Sequence, residues 1–443
     1  MGLQQRRQAN HPARDMHARP HLHPTSTTLR PSSARRCRVA YCQSRPMTTS
    51  TLESVSAQRQ IGSAVGSMAL CVALLIASEF MPVSLLTPIA EDLQATQGLA
   101  GQAISVSGLF AVLSSLFIAP VAGRFDRRHV LMGMTLLMLL SLIMIALAPD
   151  FSLLMTARAL LGLAIGGFWS LATATVIRLV PAERVPKALG TIYMGNAIAT
   201  TFAAPIGAYV GGLLGWRVVF GALVPLVIVN LLWQARSLPA MPPQATIPTM
   251  RLFELLKRRH VALGMISTML TFAGAFGAFT YFRPFLEAET GVSPSQLPLL
   301  LLGLGMAGFA GTHFASAMLH RQRLYPLLRY LPLALAVVTL AIMEAGHLFW
   351  AVAAMMVGWG ALNAAIPVCW STWLAKEIDD EPESGGGLLV ASIQLAIMMG
   401  GALGGQLLDR ANASAPLVGG AILLVLSALV IGNGTRIRKP ARA

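Results

Sequence analysis

Few residues of this chain can do chemistry, and two of them draw notice because their surroundings are oily. Glu79 lies in ASEFMPVSLLTPIAEDL, residues 77–93, and Arg158 opens RALLGLAIGGFWS. A charge at the centre of a bilayer costs at least roughly 2.5–3.5 kcal/mol, so an ionisable residue in such a run is a functional candidate. Helical rise puts both residues on the same side of the midplane, about 8–10 Å from it, where they can meet. A neighbouring cation favours the ionised carboxyl and desolvation favours the protonated one, so a conformational change can tip the balance. That is the chemistry of a proton-coupling pair. Arg158 also has a plainer reading, as a side chain reaching for the interface. His313 and Glu344 are further ionisable residues within apolar runs.

A second set could hold a ligand. Arg158, Gly162, Trp169 and Thr173 fall within about 60° of one another on a helix, and Trp359, Asn363 and Trp370 repeat the spacing. Phe272, Phe276, Phe279 and Arg283 form a stripe, while Asn196 and Gln394 add amides that donate and accept hydrogen bonds. Trp169, Asn196, Phe276, Asn363, Trp370 and Gln394 are therefore candidates for binding a planar polar molecule. The alternatives are phenylalanines touching lipid, amides pinning helices, and glycines serving helix packing. No nucleophile stands beside a base, and Cys37, Cys42, Cys71 and Cys369 have no metal-type spacing to a histidine pair. The chain is expected not to be an enzyme and to need no cofactor, metal or disulfide framework.

The elements that must position these residues are membrane helices. Of 443 residues, 55% are hydrophobic and 12% charged, and mean hydropathy is positive, which points away from a soluble domain. Apolar runs of the length a bilayer needs, about 20 residues, fall at 62–84, 98–120, 130–148, 154–177, 188–212, 218–235, 261–284, 297–319, 328–346, 349–374, 387–407 and 415–433. The predicted fold is all-α: twelve transmembrane helices in two pseudo-symmetric six-helix bundles, 61–236 and 261–434, joined by a cytoplasmic linker over 237–260 and followed by a basic tail over 435–443. Residues 1–60 form a basic N-terminal segment expected to be disordered, with Met47 as an alternative start.

Charge gives the orientation. Nine arginines and one aspartate in residues 1–46 account for +8 of the net +15. From Met47 onward, 20 of 24 Lys and Arg fall on one side if both termini are cytoplasmic, the exceptions being Arg158, Arg217, Arg283 and Arg410. The positive charge belongs to the tail and cytoplasmic loops, which argues against nucleic-acid binding. A multi-pass protein of a bacterial inner membrane is expected, in contact with lipid and functional as a monomer.

The loop APVAGRFDRRHVL places Arg124, Asp126, Arg127 and Arg128 at the cytoplasmic rim, able to hold a gate shut or to act as a topology anchor. Trp169-Ser170 and Trp370-Ser371 each precede a proline at the same separation, Pro181 and Pro382, a trace of duplication at an offset of 201 residues.

Twelve spans, this basic loop and RALLGLAIGG together resemble the major facilitator superfamily, in its twelve-span drug:proton antiporter branch. Against the family's loop pattern, Arg124, Arg127 and Arg128 fit, but Pro120 and Gly123 stand where Gly and Asp are usual, and Asp126 replaces the second glycine. The fifth span has Ala204-Pro205-Ile206-Gly207 where Gly-Pro is expected. EFMPVSLLTPIAEDL, LGLAIGGFWS, RLVPAERVPKAL, VCWSTW and SIQLA are similar to purine ribonucleoside efflux pumps of this branch. The resemblance runs from about residue 60 to the C-terminus and leaves the arginine-rich tail unaccounted for. It implies export of inosine and guanosine by proton antiport, with Arg158 in the coupling role and a nucleoside and protons as the small partners. Sugar or hydrophobic-drug efflux remains an alternative, and a non-transporting membrane sensor a more distant one.

Overall fold

The structure, a computed structural model, describes residues 49–243, 254–321 and 323–439. The expectations for residues 1–48, for the centre of the linker and for the last four residues lie outside the described residues. Regular structure among the described residues is helical throughout. The first half of the chain contributes α1 (Thr49–Asp92), α2 (Gln97–Ala122), α3 (Arg127–Ala146), α4 (Phe151–Leu179), α5 (Val185–Leu214) and α6 (Trp216–Ser237). The second contributes α7 (Arg259–Phe279), the short α8 (Phe282–Ala288), α9 (Leu297–His320), α10 (Leu324–Glu344), α11 (Phe349–Glu377), α12 (Pro382–Arg410) and α13 (Ala415–Ile431).

Among the described residues, eleven spans are long and apolar enough to cross a membrane, with α7 and α8 counted as one; α13, at 17 residues, is apolar but shorter. At 1.5 Å per residue it still reaches about 25 Å, near the lower limit for a bilayer core. Predicted spans and helices coincide except at ends. The first span, expected over 62–84, continues as helix through Pro82 and Pro88 to Asp92. The seventh breaks at Thr280 and Tyr281. Apolar side chains such as Val229, Leu299, Val337 and Leu429 point outward and are exposed, as lipid-facing residues of membrane helices are. Between α5 and α6 a single residue, Gly215 at φ 86°, makes the turn, a conformation that favours glycine.

Buried apolar side chains form two principal cores. One gathers mainly residues of α1–α6, with Tyr281 joining it, and the other mainly residues of α7–α13, with Ala204 and Ala208 of α5 joining it. Each is packed through glycines: Gly162 and Gly166 of α4 lie against the backbone carbonyls of Ser107 and Ala111 on α2, while Gly360 of α11 and Gly311 of α9 lie against those of Leu304 and Ala361. A Cβ at any of these positions would overlap backbone, so the spacing of α2 from α4 and of α9 from α11 requires them. A small third cluster, Val83, Ile104 and Ile397 with Phe276, Phe279 and Ile393 against it, lies in the seam between the halves.

Candidate functional site

Proline in a helix removes one N–H, and the carbonyl four residues earlier loses its intrahelical donor. In α1 the two prolines therefore release two carbonyls, Ser78 for Pro82 and Ser84 for Pro88. Both have been taken by arginines. Arg158 donates from Nη1 to Ser78 O at 2.9 Å, and Arg283 from Nη1 to Ser84 O. The prolines in the oily stretch thus do more than bend or end a helix: they supply acceptors at two depths.

Arg158 is fully buried on α4. Its Nε donates to Ala103 O at 3.0 Å and its Nη2 to Ser107 Oγ at 3.1 Å. Such a residue does not snorkel; it is held from three directions between α1 and α2. Glu79, one residue beyond Ser78, is 2% exposed. It interacts electrostatically with Arg158 and with the amide of Gln394 on α12. No ion-pair contact joins Glu79 and Arg158 among the described residues, and both Glu79 Oε1 and Gln394 Nε2 lack a hydrogen-bond partner. The two polar groups face each other beyond hydrogen-bond geometry. An unpartnered carboxyl oxygen in a buried position is costly. Ser105 Oγ, also unpartnered, lies in the same seam against Gly401.

Beside Glu79, Phe80 stacks on Phe276 at 5.6 Å and meets Phe279 edge-on at 6.3 Å. Phe279 in turn stacks on Trp359 at 5.9 Å. The stripe on α7 thus closes on α1 and not on lipid. Glu79, Arg158, Gln394 and Phe276 come together at the seam. Trp169 lies eleven residues further along α4, about 16 Å toward the face that carries the Arg124 loop. There it is partly buried against Tyr193 of α5, at 5.9 Å, one turn from the partly buried Asn196. Asn363 of α11 is partly buried as well.

Trp370 is placed elsewhere. It is 1% exposed, in the second core, edge-on to Trp373 at 5.5 Å. Trp359 is likewise buried, with Nε1 on Thr339 Oγ1 at 3.0 Å. Helical spacing put Trp359, Asn363 and Trp370 on one face, but that face turns its indoles into the half's own interior. His313 and Glu344 are exposed.

The Arg124 loop is tied to its own half. Asp126 caps α3 by accepting from Arg128 N at 2.8 Å and also accepts from Met241 N at 3.1 Å, while Arg127 N donates to Met241 O at 3.1 Å. Arg128 Nη2 donates to Ala235 O, and Arg124 is exposed. Asp126, out of register with the expected pattern, has found the chain after α6 as its partner. The loop does not reach across to the second half through these bonds.

Several residues were not anticipated: Phe80, Tyr193, Thr87, Glu287 and Asp409. The one available signal was Arg283, three of whose neighbours in the stripe are phenylalanines, and which broke the charge asymmetry together with Arg158.

Comparison with known proteins bears on this arrangement. Residues 68–386 match the model of the Major Facilitator Superfamily. The chain is 45% identical over 404 residues to the transcription regulatory protein OpdE of Pseudomonas aeruginosa, covering 89% of this chain and all of that one. It is 41% identical over 375 residues to the purine ribonucleoside efflux pump NepI of Salmonella typhimurium, covering 85% of this chain and 94% of the pump. Among solved structures, a D-xylose-proton symporter superposes with a TM-score of 0.65 at 17% identity, covering 85% of this chain and 97% of that one. The nucleoside transporter NupG superposes at 0.67 and 13% identity, covering 85% and 100%. The helical membrane fold and the match over most of its length establish that the chain belongs to the Major Facilitator Superfamily.

Proposed function

We propose that this protein exports purine ribonucleosides such as inosine and guanosine across the bacterial inner membrane in exchange for protons, by alternating access between residues 61–236 and 261–434. The observation that carries the reading is Glu79: a buried carboxyl with an unpartnered oxygen, under the field of Arg158 and facing Gln394 of the other half. A proton on Glu79 and a polar ligand at Gln394 would compete for the same space and the same charge balance, which is what antiport requires. The similarity to NepI supports the choice of substrate.

Both termini are assigned to the cytoplasm on the distribution of Lys and Arg. The bonds joining the halves among the described residues run along the opposite face and down to Thr201, whose carbonyl, released by Pro205, backs onto Gly305. This arrangement fits a conformation open to the cytoplasm, in which Trp169, Tyr193, Asn196 and Asn363 await a flat base and its ribose hydroxyls. The basic loop 124–128 is assigned a gating role in the opposite conformation.

Proteoliposomes under a pH gradient, offered inosine, guanosine, a pentose and a cationic dye, test the reading. Nucleoside movement that is abolished by Glu79→Gln is expected; movement of the dye alone would leave an antiporter with another substrate. The name of the P. aeruginosa relative supports a second reading, a membrane protein acting on gene expression. Purified protein that moves no solute in this assay would favour it.

A further inference from the structure

The α1–α2 hairpin is gripped from the second half by three charged side chains with no part in the Glu79 site. Glu287 on α8 accepts from Thr87 Oγ1 at 2.5 Å with one oxygen and from Arg283 Nε at 2.7 Å with the other. Arg283 also holds the Ser84 carbonyl that Pro88 released. On the far side of the hairpin, Asp409 at the end of α12 accepts from Thr96 Oγ1 at 2.6 Å and Gly98 N at 3.0 Å. It thereby caps α2 from the other half, where the first amides of a helix lack partners and its dipole favours an anion. The hairpin is tied to its own half separately, through Asp92, which accepts from Trp216 Nε1 at 3.2 Å and from Arg217.

We propose that Arg283, Glu287 and Asp409 form the outer latch of the transporter, and that their release of the α1–α2 hairpin is the step that opens the seam to the outer face. The proposal rests on the alternating-access reading above. Apart from the Arg283–Glu287 pair, which stays within the second half, each bond of the latch joins a group of the second half to one of the first, so a rigid-body separation breaks them together. Charge-assisted hydrogen bonds of this kind are strong while formed. Thr96 and Asp409 are exposed at helix ends, and the Arg283 and Glu287 side chains are 11% and 26% exposed. Such a latch holds without trapping. Beneath it the Phe80, Phe276 and Phe279 cluster keeps water from Glu79 until the latch has opened. The Asp92 tie makes the hairpin move with the first half.

The test uses thiol labelling in whole cells, with the native cysteines replaced by alanine. A Val83→Cys reporter sits in the seam, 2% exposed; a Thr173→Cys reporter sits exposed on α4 toward the basic face. Breaking the latch by Thr87→Val with Asp409→Ala is expected to raise labelling of the Val83→Cys reporter by an outside, membrane-impermeant maleimide about tenfold. Labelling of the Thr173→Cys reporter by a permeant maleimide should fall in the same cells. Thr87→Ser, which keeps the hydroxyl, should leave both rates as they were. Pro88→Ala, which returns an N–H to Ser84 O in competition with Arg283, should shift both rates in the same directions but less. Unchanged labelling of the Val83→Cys reporter would overturn the proposal, and so would a rise at both reporters together, which would mean a loosened fold. Labelling needs no substrate, so the latch can fail while nucleoside transport by the unaltered chain stands, and the reverse.

Discussion

The fourth and tenth spans, α4 and α11, carry different chemistry: a buried arginine, Arg158, on one and a buried tryptophan, Trp359, on the other. Arg158 holds carbonyls of α1 and α2 and faces Glu79. Trp359 stacks on Phe279 of α7 and donates to Thr339. The surrounding framework is shared. Ser67 meets Ser237 between α1 and α6, and Thr271 meets Ser427 between α7 and α13; Gly162 and Gly360 each press on the carbonyl of a neighbouring helix. One half has placed a buried charge on this span and the other a buried aromatic. Where two copies of a scaffold agree, the physics is that of helix packing; where they part, as at Glu79 and Arg158, stability alone does not account for the choice, because a buried charge destabilises relative to an apolar residue of similar volume.

The largest effect expected from breaking this contrast is at Arg158. Arg158→Gln removes three donors and the counter-charge of Glu79, so pH-driven nucleoside uptake into inverted vesicles should fall about a hundredfold, an effect of ~3 kcal/mol on a rate. A loss of thermal stability should accompany it, because the carbonyls of Ser78 and Ala103 lose a buried donor. Trp359→Ala should lower stability and leave coupling in place. It leaves a cavity in the second core and should cost about 3–5 kcal/mol of stability, read as a lowered Tm, with the pH dependence of transport by the surviving protein unchanged. If Trp359→Ala abolished coupling, the division of labour between the halves would be wrong.

The shared part of the comparison is sharpened by Gly162→Ala and Gly360→Ala, each of which overpacks a helix crossing by one methyl. Each is expected to destabilise by about 1–3 kcal/mol, and by similar amounts, in paired thermal melts. The smallest effect concerns the basic rim of the second half, where Arg258 donates to Asp380 at 2.6 Å and Lys439 to Asp379 at 2.6 Å. The hydrogen bond from Arg258 holds the Asp380 carboxyl below its ordinary range, and the one from Lys439 does the same for Asp379. A lowered folded-state value means the contribution is complete above the unfolded carboxyl's range, near 3.9, and disappears as pH falls through the folded value. The Tm difference between the native chain and Asp380→Asn should therefore be small at pH 7 and shrink steadily as the pH is taken below the unfolded carboxyl's range.

Much of the architecture was legible in the chain. Span positions follow from hydropathy because a bilayer demands long apolar runs whatever their neighbours. Arg158 and Glu79 were visible for the same reason, as charges where charge is expensive. The four exceptions to the charge asymmetry were also informative: Arg158 and Arg283 reach α1 carbonyls, Arg217 reaches Asp92, and Arg410 is exposed. What sequence periodicity misplaced was Trp370, because spacing defines a face of a helix but not which way that face is turned. The loop 124–128 was likewise legible as a basic cluster, while its partner, Met241, lies more than a hundred residues away and carries no pattern that announces it.

The sequence by itself determined the membrane class, the approximate span limits, the basic face and the residues whose burial would need a reason. All of these depend on local composition against a fixed thickness of lipid. Only the tertiary structure decided that Pro82 and Pro88 supply carbonyls to Arg158 and Arg283, that Glu79 meets Arg158 by field and not by contact, that Gln394 and Phe276 join them, and that Trp370 does not. Those outcomes depend on the rotation and tilt of one helix against another, which are set by through-space packing and have no period in the chain.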